Sequence, residues 1–381
     1  MPKTVYLDYN ATTPLDPKVK EAMLPFLDVH WGNPSSIHHV GRRARALLDE
    51  FRERMAANLK CRPSEVVFTS GGTESNNLAI FGTARRLRAR GRHLITSAIE
   101  HHAVLNSFEQ LARNEDFSLT ILPVNRSGQV DPDRLRDTIR EDTVLVSVMA
   151  ANNEIGTLQQ VAEMGELCRA RGICFHTDAV QWFGKEPFSD IHQFNADLVS
   201  LCPHKFHGPK GAGLLFIRSP LLPLPILFGG GHENERRAGT ENLAAIAGLV
   251  SAFESFVPTP VFAGARLRAL CASIQSTLAG VPGVTVLSTD GPRLPNTISF
   301  VTEGTDSFAL LAALDVEGYC ASAGAACSAG SLEPSHVVSA LGFSRDLAKS
   351  LVRFSLGRGT SDEEIHSLCG VLPNLIARAQ G

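Results

Sequence analysis

The chain has 381 residues, with 36 basic against 39 acidic side chains and a formal charge of −3. Its 44% hydrophobic and 20% charged content exclude intrinsic disorder and give an ordinary globular chain, long enough for two or three folding units. No basic run marks a nucleic-acid face, and no window approaches the ~18 consecutive apolar residues of a membrane span.

The N-terminal residues lack a charged stretch followed by an apolar one, so no secretory signal is expected. Short β-branched runs then alternate with amphipathic stretches. The spacing predicts strands at Val66–Ser70, His93–Ser97, Leu119–Pro123, Val144–Ala150, Ile173–Asp178, Leu198–Cys202 and Gly213–Ile217. Helical patterns lie between them at Thr73–Arg90, His101–Arg113, Pro132–Arg140 and Gln160–Arg171. Runs that are apolar throughout fit strands covered on both faces, so the expectation is an α/β fold with a mostly parallel sheet. After residue 218 the pattern changes. Three prolines within Ser219–Pro225 and the glycines 229–231 predict a long irregular loop reaching Thr240. Asn242–Gly280 reads as helical, followed by strands at Val284–Leu287 and Thr297–Val301 and helices from Ser307 and from Asp362, a smaller α+β unit.

The eight cysteines stand at 61, 168, 174, 202, 271, 320, 327 and 369, with no CxxC and no zinc spacing. No metal site is expected. They read as free thiols of a cytoplasmic protein, most of them small buried apolar residues.

Four segments carry chemistry. In Thr69–Asn76 a strand runs through two glycines into a helix start rich in hydroxyls. Such a start is either an anion cup, with Gly72 and Thr73 on its rim, or an ordinary helix capped by Thr73. Asp178 ends a buried strand, where open α/β sheets place ligands. It is either a helix cap or a counter-ion for a protonated ring nitrogen. Lys205 is one of only eight lysines, and it follows an apolar strand between His204 and His207. It is either a solvated loop lysine or a desolvated amine able to form a Schiff base. Cys327 sits in a run of Ala, Gly and Ser from 320 to 331, either a packing segment or a nucleophile on a movable loop. Together, an anion cup, a strand-end carboxylate, an activated lysine and an accessible thiol are the requirements of a pyridoxal phosphate enzyme with thiol chemistry.

The sequence also resembles the cysteine desulfurases of the NifS/IscS type, within aminotransferase class V. The matching segments run almost end to end: Tyr6–Pro14, Gly32–Ser36, Phe68–Ser75, Glu100-His101, Asn152–Gly156, Asp178–Gln181, His204-Lys205, Gly229–His232, Ala238–Thr240, Ser331–Ser335 and Arg353–Arg358. The resemblance implies the type I fold of pyridoxal phosphate-dependent transferases. That fold has a large domain, 16–256, around a mostly parallel seven-stranded sheet flanked by helices. A small α+β domain made of 1–15 and 257–381 carries the cysteine loop.

It implies roles residue by residue. Lys205 matches the Schiff-base lysine, and Cys327 the cysteine that takes sulfur as a persulfide. His101 matches the residue stacked on the cofactor ring, Asp178 the ring-nitrogen partner, and Gln181 and Asn153 the contacts near the ring hydroxyl. Thr73 and His204 match phosphate ligands. Thr240 matches a phosphate contact donated by a second subunit, which implies a homodimer. Arg353 matches the clamp on the substrate carboxylate, with Asn33 near the substrate. The implied reaction turns L-cysteine into L-alanine and passes the sulfur to an acceptor protein. The acceptor serves iron–sulfur cluster assembly or thio-modification of tRNA, DNA or a cofactor. No direct nucleic-acid or membrane contact is expected.

Two departures stand out. Cys202-Pro203 precedes His204 where the family usually has Ser-Gly, so a weaker donor faces the phosphate and one backbone N–H is missing. The chain also ends soon after its last helix, where relatives serving an iron–sulfur scaffold often run on. Competing readings are a selenocysteine lyase or aminotransferase of the same fold, and a binding protein that lost turnover.

Overall fold

The computed structural model describes residues 4–324 and 333–381. Cys327, together with Ala326 and the residues up to 332, lies outside the described residues. In chain order the first elements are β1 (Val5–Tyr6), α1 (Pro17–Met23), α2 (Pro25–Asp28), α3 (His39–Leu59), β2 (Val66–Thr69), α4 (Gly72–Leu87), β3 (His93–Ser97), α5 (His102–Asn114) and β4 (Ser118–Leu122). Then come α6 (Pro132–Thr138), β5 (Thr143–Ser147), α7 (Val161–Ala170), β6 (Cys174–Asp178), β7 (Leu198–Leu201), β8 (Gly213–Ile217), α8 (His232–Glu235) and α9 (Leu243–Phe256). The last are α10 (Ala265–Ala279), β9 (Val284–Val286), β10 (Thr297–Thr302), α11 (Ser307–Val316), β11 (Tyr319–Cys320), α12 (His336–Ala340), α13 (Arg345–Lys349), β12 (Val352–Ser355) and α14 (Asp362–Gln380).

Seven strands form one sheet in the order β2-β8-β7-β6-β5-β3-β4. Only β8 runs against its neighbours, β2 and β7; every other pair is parallel. All seven expected strands are present, with ends within three residues of the sequence reading. The central strands are buried throughout because helices cover both faces. Of the parallel set, β2, β3, β5, β6 and β7 point their C-terminal ends the same way, and the loops leaving those ends build the cavity described below.

A second sheet, β12-β10-β9, is antiparallel, and β1 pairs with β11 in parallel. The N-terminal strand thus joins the C-terminal third of the chain. Leu7 and Tyr9 share an apolar cluster with Phe262, Ile274, Phe300, Phe354 and Leu368. A capping box between Ser361 and Glu364, with three acidic residues in the first turn, starts α14.

Two expectations are corrected and one helix is added. Asn242–Gly280 is two helices, because Pro258 and Pro260 interrupt the pattern between α9 and α10. Thr73 is not the cap of α4; Gly71 occupies that position without a side-chain bond, and Thr73 lies inside the first turn. The longest helix, α3, was absent from the sequence reading. Its buried stripe of Ala44, Leu48, Phe51, Met55 and Leu59 is interleaved with Arg and Glu, which dilute the apolar periodicity.

Candidate active site

A cavity of about 210 Å³ opens at the C-terminal ends of the parallel strands. After β2, Gly72 and Thr73 bring the first turn of α4 to its wall. A Cβ at position 72 would come within 2.8 Å of Val180 Cγ2, so only glycine lets the helix start approach. After β3, His101 caps α5: its Nδ1 accepts from Ala103 N–H at 3.0 Å, which leaves Nε2 to carry the ring proton. Burial, foremost, pushes the His101 imidazole down, against the pull of Asp178. After β5, Asn152 turns the chain by accepting from the N–H groups of Glu154 and Ile155, and this presents Asn153 to the cavity.

Asp178 ends β6 and is 5% exposed. Its Oδ2 accepts from Asn76 Nδ2 at 2.6 Å and its Oδ1 from Val180 N–H at 2.9 Å. No helix begins directly after this strand, so Asp178 is not a helix cap; it closes the turn that follows and lines the cavity. Gln181 follows on the same turn.

After β7, a short 3-10 turn carries Cys202, His204 and Lys205 onto the cavity wall. Lys205 Nζ donates to the backbone carbonyls of Asn10 at 2.7 Å and Ala11 at 2.8 Å. Burial pushes the amine below its ordinary range, and Arg353 adds to this. Burial takes the His204 imidazole down to about 3, so it is neutral, with Nδ1 at 3.1 Å from Thr12 Oγ1. Burial also raises the Cys202 thiol to about 12, so it stays protonated, and its sulfur takes a hydrogen bond from Gly72 N–H.

Arg353, on β12 and 1% exposed, reaches in from the second sheet. Its Nη1 donates to Asn153 O at 2.7 Å and Gly324 O at 2.6 Å, and its Nη2 to Asp8 Oδ1 at 2.6 Å. Among the described residues Nε has no partner. Among them three of the five N–H donors are spent and two remain, the number one carboxylate takes from an arginine fork.

The structure thus gathers Gly72, Thr73, His101, Asn153, Asp178, Gln181, Cys202, His204, Lys205 and Arg353 around one cavity. Two expected residues are not on its lining. Asn33 is exposed, its Oδ1 accepting from Ser35 N–H at 2.9 Å, and Thr240 is exposed at the end of the 229–240 loop. Cys327 lies outside the described residues. The sequence reading missed Asn10, Asn76 and Lys185. Asn10 stood in a quoted motif without a role. Lys185 follows no strand and stands between Gly184 and Glu186, so nothing local marks it.

The cavity suits pyridoxal phosphate. Among the described residues, two buried polar atoms on its lining lack partners, Asn76 Oδ1 and Arg353 Nε. One end offers helix-start amides, a threonine hydroxyl and a neutral imidazole for an anion. The other offers a low-lying amine and a held carboxylate. Residues 5–368 match the family profile described as aminotransferase class V. The chain belongs to the aminotransferase class V family. Among class V relatives, a protein named cysteine desulfurase IscS from Dictyoglomus turgidum is 44% identical, covering 99% of this chain and 96% of the relative. A solved structure described as a NifS-like protein superposes with a TM-score of 0.90 at 34% identity, covering 98% of this chain and all of the other. SspA in complex with cysteine superposes at 0.82 with 35% identity, covering 94% of this chain and 100% of that one. The α/β architecture with its mostly parallel seven-stranded sheet is the class V fold.

Proposed function

We propose that the cavity is the active site of a cysteine desulfurase, with the roles that follow. The enzyme depends on pyridoxal phosphate, takes L-cysteine as substrate and passes its sulfur to an acceptor protein. When bound, the cofactor supplies an electron sink for negative charge on the substrate Cα. The Thr73 hydroxyl and the neutral His204 hold its phosphate, with Gly72 allowing the close approach. Asp178, kept charged-side inward by Asn76 and Val180 N–H, holds the proton on the ring nitrogen. His101 covers the ring, and Gln181 and Asn153 approach the ring oxygen.

Lys205 carries the cofactor through its amine and, once freed by substrate, moves the α-proton. Its depressed basicity suits that task, since an uncharged amine is both nucleophile and base. Arg353 fixes the substrate carboxylate with its two unspent donors. The Cys327 thiolate attacks the substrate sulfur. The Cβ–S bond breaks, Cβ is protonated to give L-alanine, and Cys327 keeps the sulfur as a persulfide.

Asn33 and Thr240 reach a cavity of a second copy, which makes the enzyme a homodimer. Exposed apolar side chains on the same stretches support this: Trp31 is 69%, Ile37 90% and Phe228 84% exposed. Ser35 Oγ lies 3.3 Å from His232 Nε2 and ties the two loops together. The folding units are 16–256, and 1–15 with 257–381. Among the described residues no helix is long and apolar enough to cross a membrane; the proposed compartment is the cytoplasm.

Lys205 carries this reading: a half-buried amine at a strand end, held by two carbonyls, on the same cavity as the anion cup and a carboxylate. The test is to incubate the purified protein with L-cysteine and measure alanine, sulfide and protein persulfide. Cys327→Ala is expected to keep the cofactor colour and lose the persulfide. Desulfuration by that variant at the normal rate, with a reductant present, overturns the relay role of Cys327.

A further inference from the structure

Lys185 places a buried amine near the half-buried Lys205, and the reaction above gives it no task. The side chain is fully buried, with Nζ 5.7 Å from the centroid of the Phe262 ring. Nζ donates to Asn10 Oδ1 at 2.7 Å and to Gln181 Oε1. Neither acceptor is a carboxylate. The titratable groups facing the amine are Lys205, Arg353 and the protonated thiol of Cys202. Burial, then the charges of Lys205 and Arg353, push it well below the ordinary lysine range.

The second acceptor matters most. Gln181 is held at both ends of its amide: Oε1 by Lys185, and Nε2 by donation to Asn10 O at 2.9 Å. That same Asn10 carbonyl receives Lys205 Nζ. The two ends of a glutamine amide have nearly the same shape, so nothing steric prevents the group from turning over. Turning it over would set Oε1 against the Asn10 carbonyl, acceptor against acceptor, and would take from Lys185 Nζ the oxygen it donates to, so the pair selects one orientation. The orientation it selects keeps the carbonyl oxygen on the buried side and leaves one Nε2 hydrogen unspent on a residue that lines the cavity.

We infer that Lys185 is a positioning residue that locks the Gln181 amide with its N–H side toward the cavity, giving that wall a donor for an anionic oxygen of the bound cofactor. The inference rests on the reading of the cavity as the pyridoxal phosphate site. Asn10 is the second anchor: its side chain also donates to Thr297 Oγ1 at 2.9 Å and to Asn153 O at 3.2 Å, so the lock is tied to the second sheet.

The test is a double-mutant cycle over Lys185→Met and Gln181→Met. It reads the affinity of the apo-protein for pyridoxal phosphate and the pH at which the visible band of the loaded protein titrates. Each single variant is expected to bind the cofactor about 3- to 10-fold more weakly, the worth of one hydrogen bond. Each should move the titration to higher pH, because a lost donor stabilises the anionic oxygen less. The double variant should be no worse than either single one. Unchanged affinity and titration in either single variant overturns the inference. So does a Lys185→Met effect of equal size in the Gln181→Met background, which marks a merely structural role. If Lys185→Met does not melt cooperatively, Asn10→Ala replaces it in the cycle, since it strips the other partner of Nζ and leaves the Asn10 carbonyl in place. Borohydride reduction of the loaded wild type separates the two levels. Absence of covalent cofactor on Lys205 sinks the site reading itself, whereas a labelled Lys205 with a silent cycle sinks only the role of Lys185.

Discussion

The strand-end wall of the cavity and the loops that carry Asn33 and Thr240 follow opposite rules. On the wall, Asp178, Gln181, Lys185 and Arg353 are buried, and each is held by named partners. The 229–240 loop is anchored in its middle, where the buried Glu233 pairs with Arg52 at 2.6 Å and accepts from Phe68 N–H at 3.0 Å, Arg236 donates to Ser64 O at 2.7 Å and Arg237 pairs with Glu74 at 2.7 Å. The ends of the loop, Gly229–Gly231 and Gly239-Thr240, are exposed, as is much of the stretch around Trp31 and Ile37. The difference teaches that the wall is preorganised by partners within one chain, whereas the rim leaves apolar side chains uncovered. Buried polar groups are costly unless satisfied, so the wall is specified within the fold. An exposed apolar rim gains its stability only when it is covered.

The largest expected effect lies on the wall. Asp178→Ala removes the strand-end carboxylate and strands Asn76 Nδ2. Alanine formation should fall on the order of 10²- to 10⁴-fold, the range lost with a positioned proton-handling group. The visible band of the bound cofactor should change as well. Activity within tenfold of wild type would show that the ring-nitrogen role belongs elsewhere.

The next effect tests the rim. Trp31→Asp with Phe228→Asp should give a monomer by sedimentation, with a folded wall but about 10²-fold less activity, because Asn33 and Thr240 no longer reach a site. A fully active monomer would erase the contrast between the two regions.

The smallest effect lies at the phosphate end. Cys202 is a protonated thiol facing Gly72 N–H, and Pro203 supplies no amide. Replacing both, Cys202→Ser with Pro203→Gly, should tighten pyridoxal phosphate binding several-fold, about one hydrogen bond's worth. Equal affinity in a fluorescence titration would mean that the thiol and the proline cost the cup nothing.

Much of the wall was legible before any coordinates. Lys205, Asp178 and the Gly72–Thr73 turn follow apolar runs directly, so their place at strand ends comes from local pattern alone. Arg353 and His101 came from motif resemblance, because nothing local marks an arginine inside a strand as reaching a distant cavity. Asn10 and Lys185 were missed for the same reason. Their importance lies in partners at positions 181, 205 and 297, and no periodicity encodes contacts that far apart. The break between α9 and α10 was in the sequence as Pro258 and Pro260, and the apolar pattern on either side hid it.

The sequence by itself determined the alternation of strands and helices, the class of chemistry and the residues at the strand ends. These depend on periods of two and 3.6 residues and on short turns, which are properties of neighbours. Only the tertiary structure decided which donors remain unspent on Arg353, which way the Gln181 amide faces, and that a buried amine at Lys185 holds it there. Those depend on hydrogen-bond partners brought together from the two ends and the middle of the chain, and they exist only once both sheets have closed on the cavity.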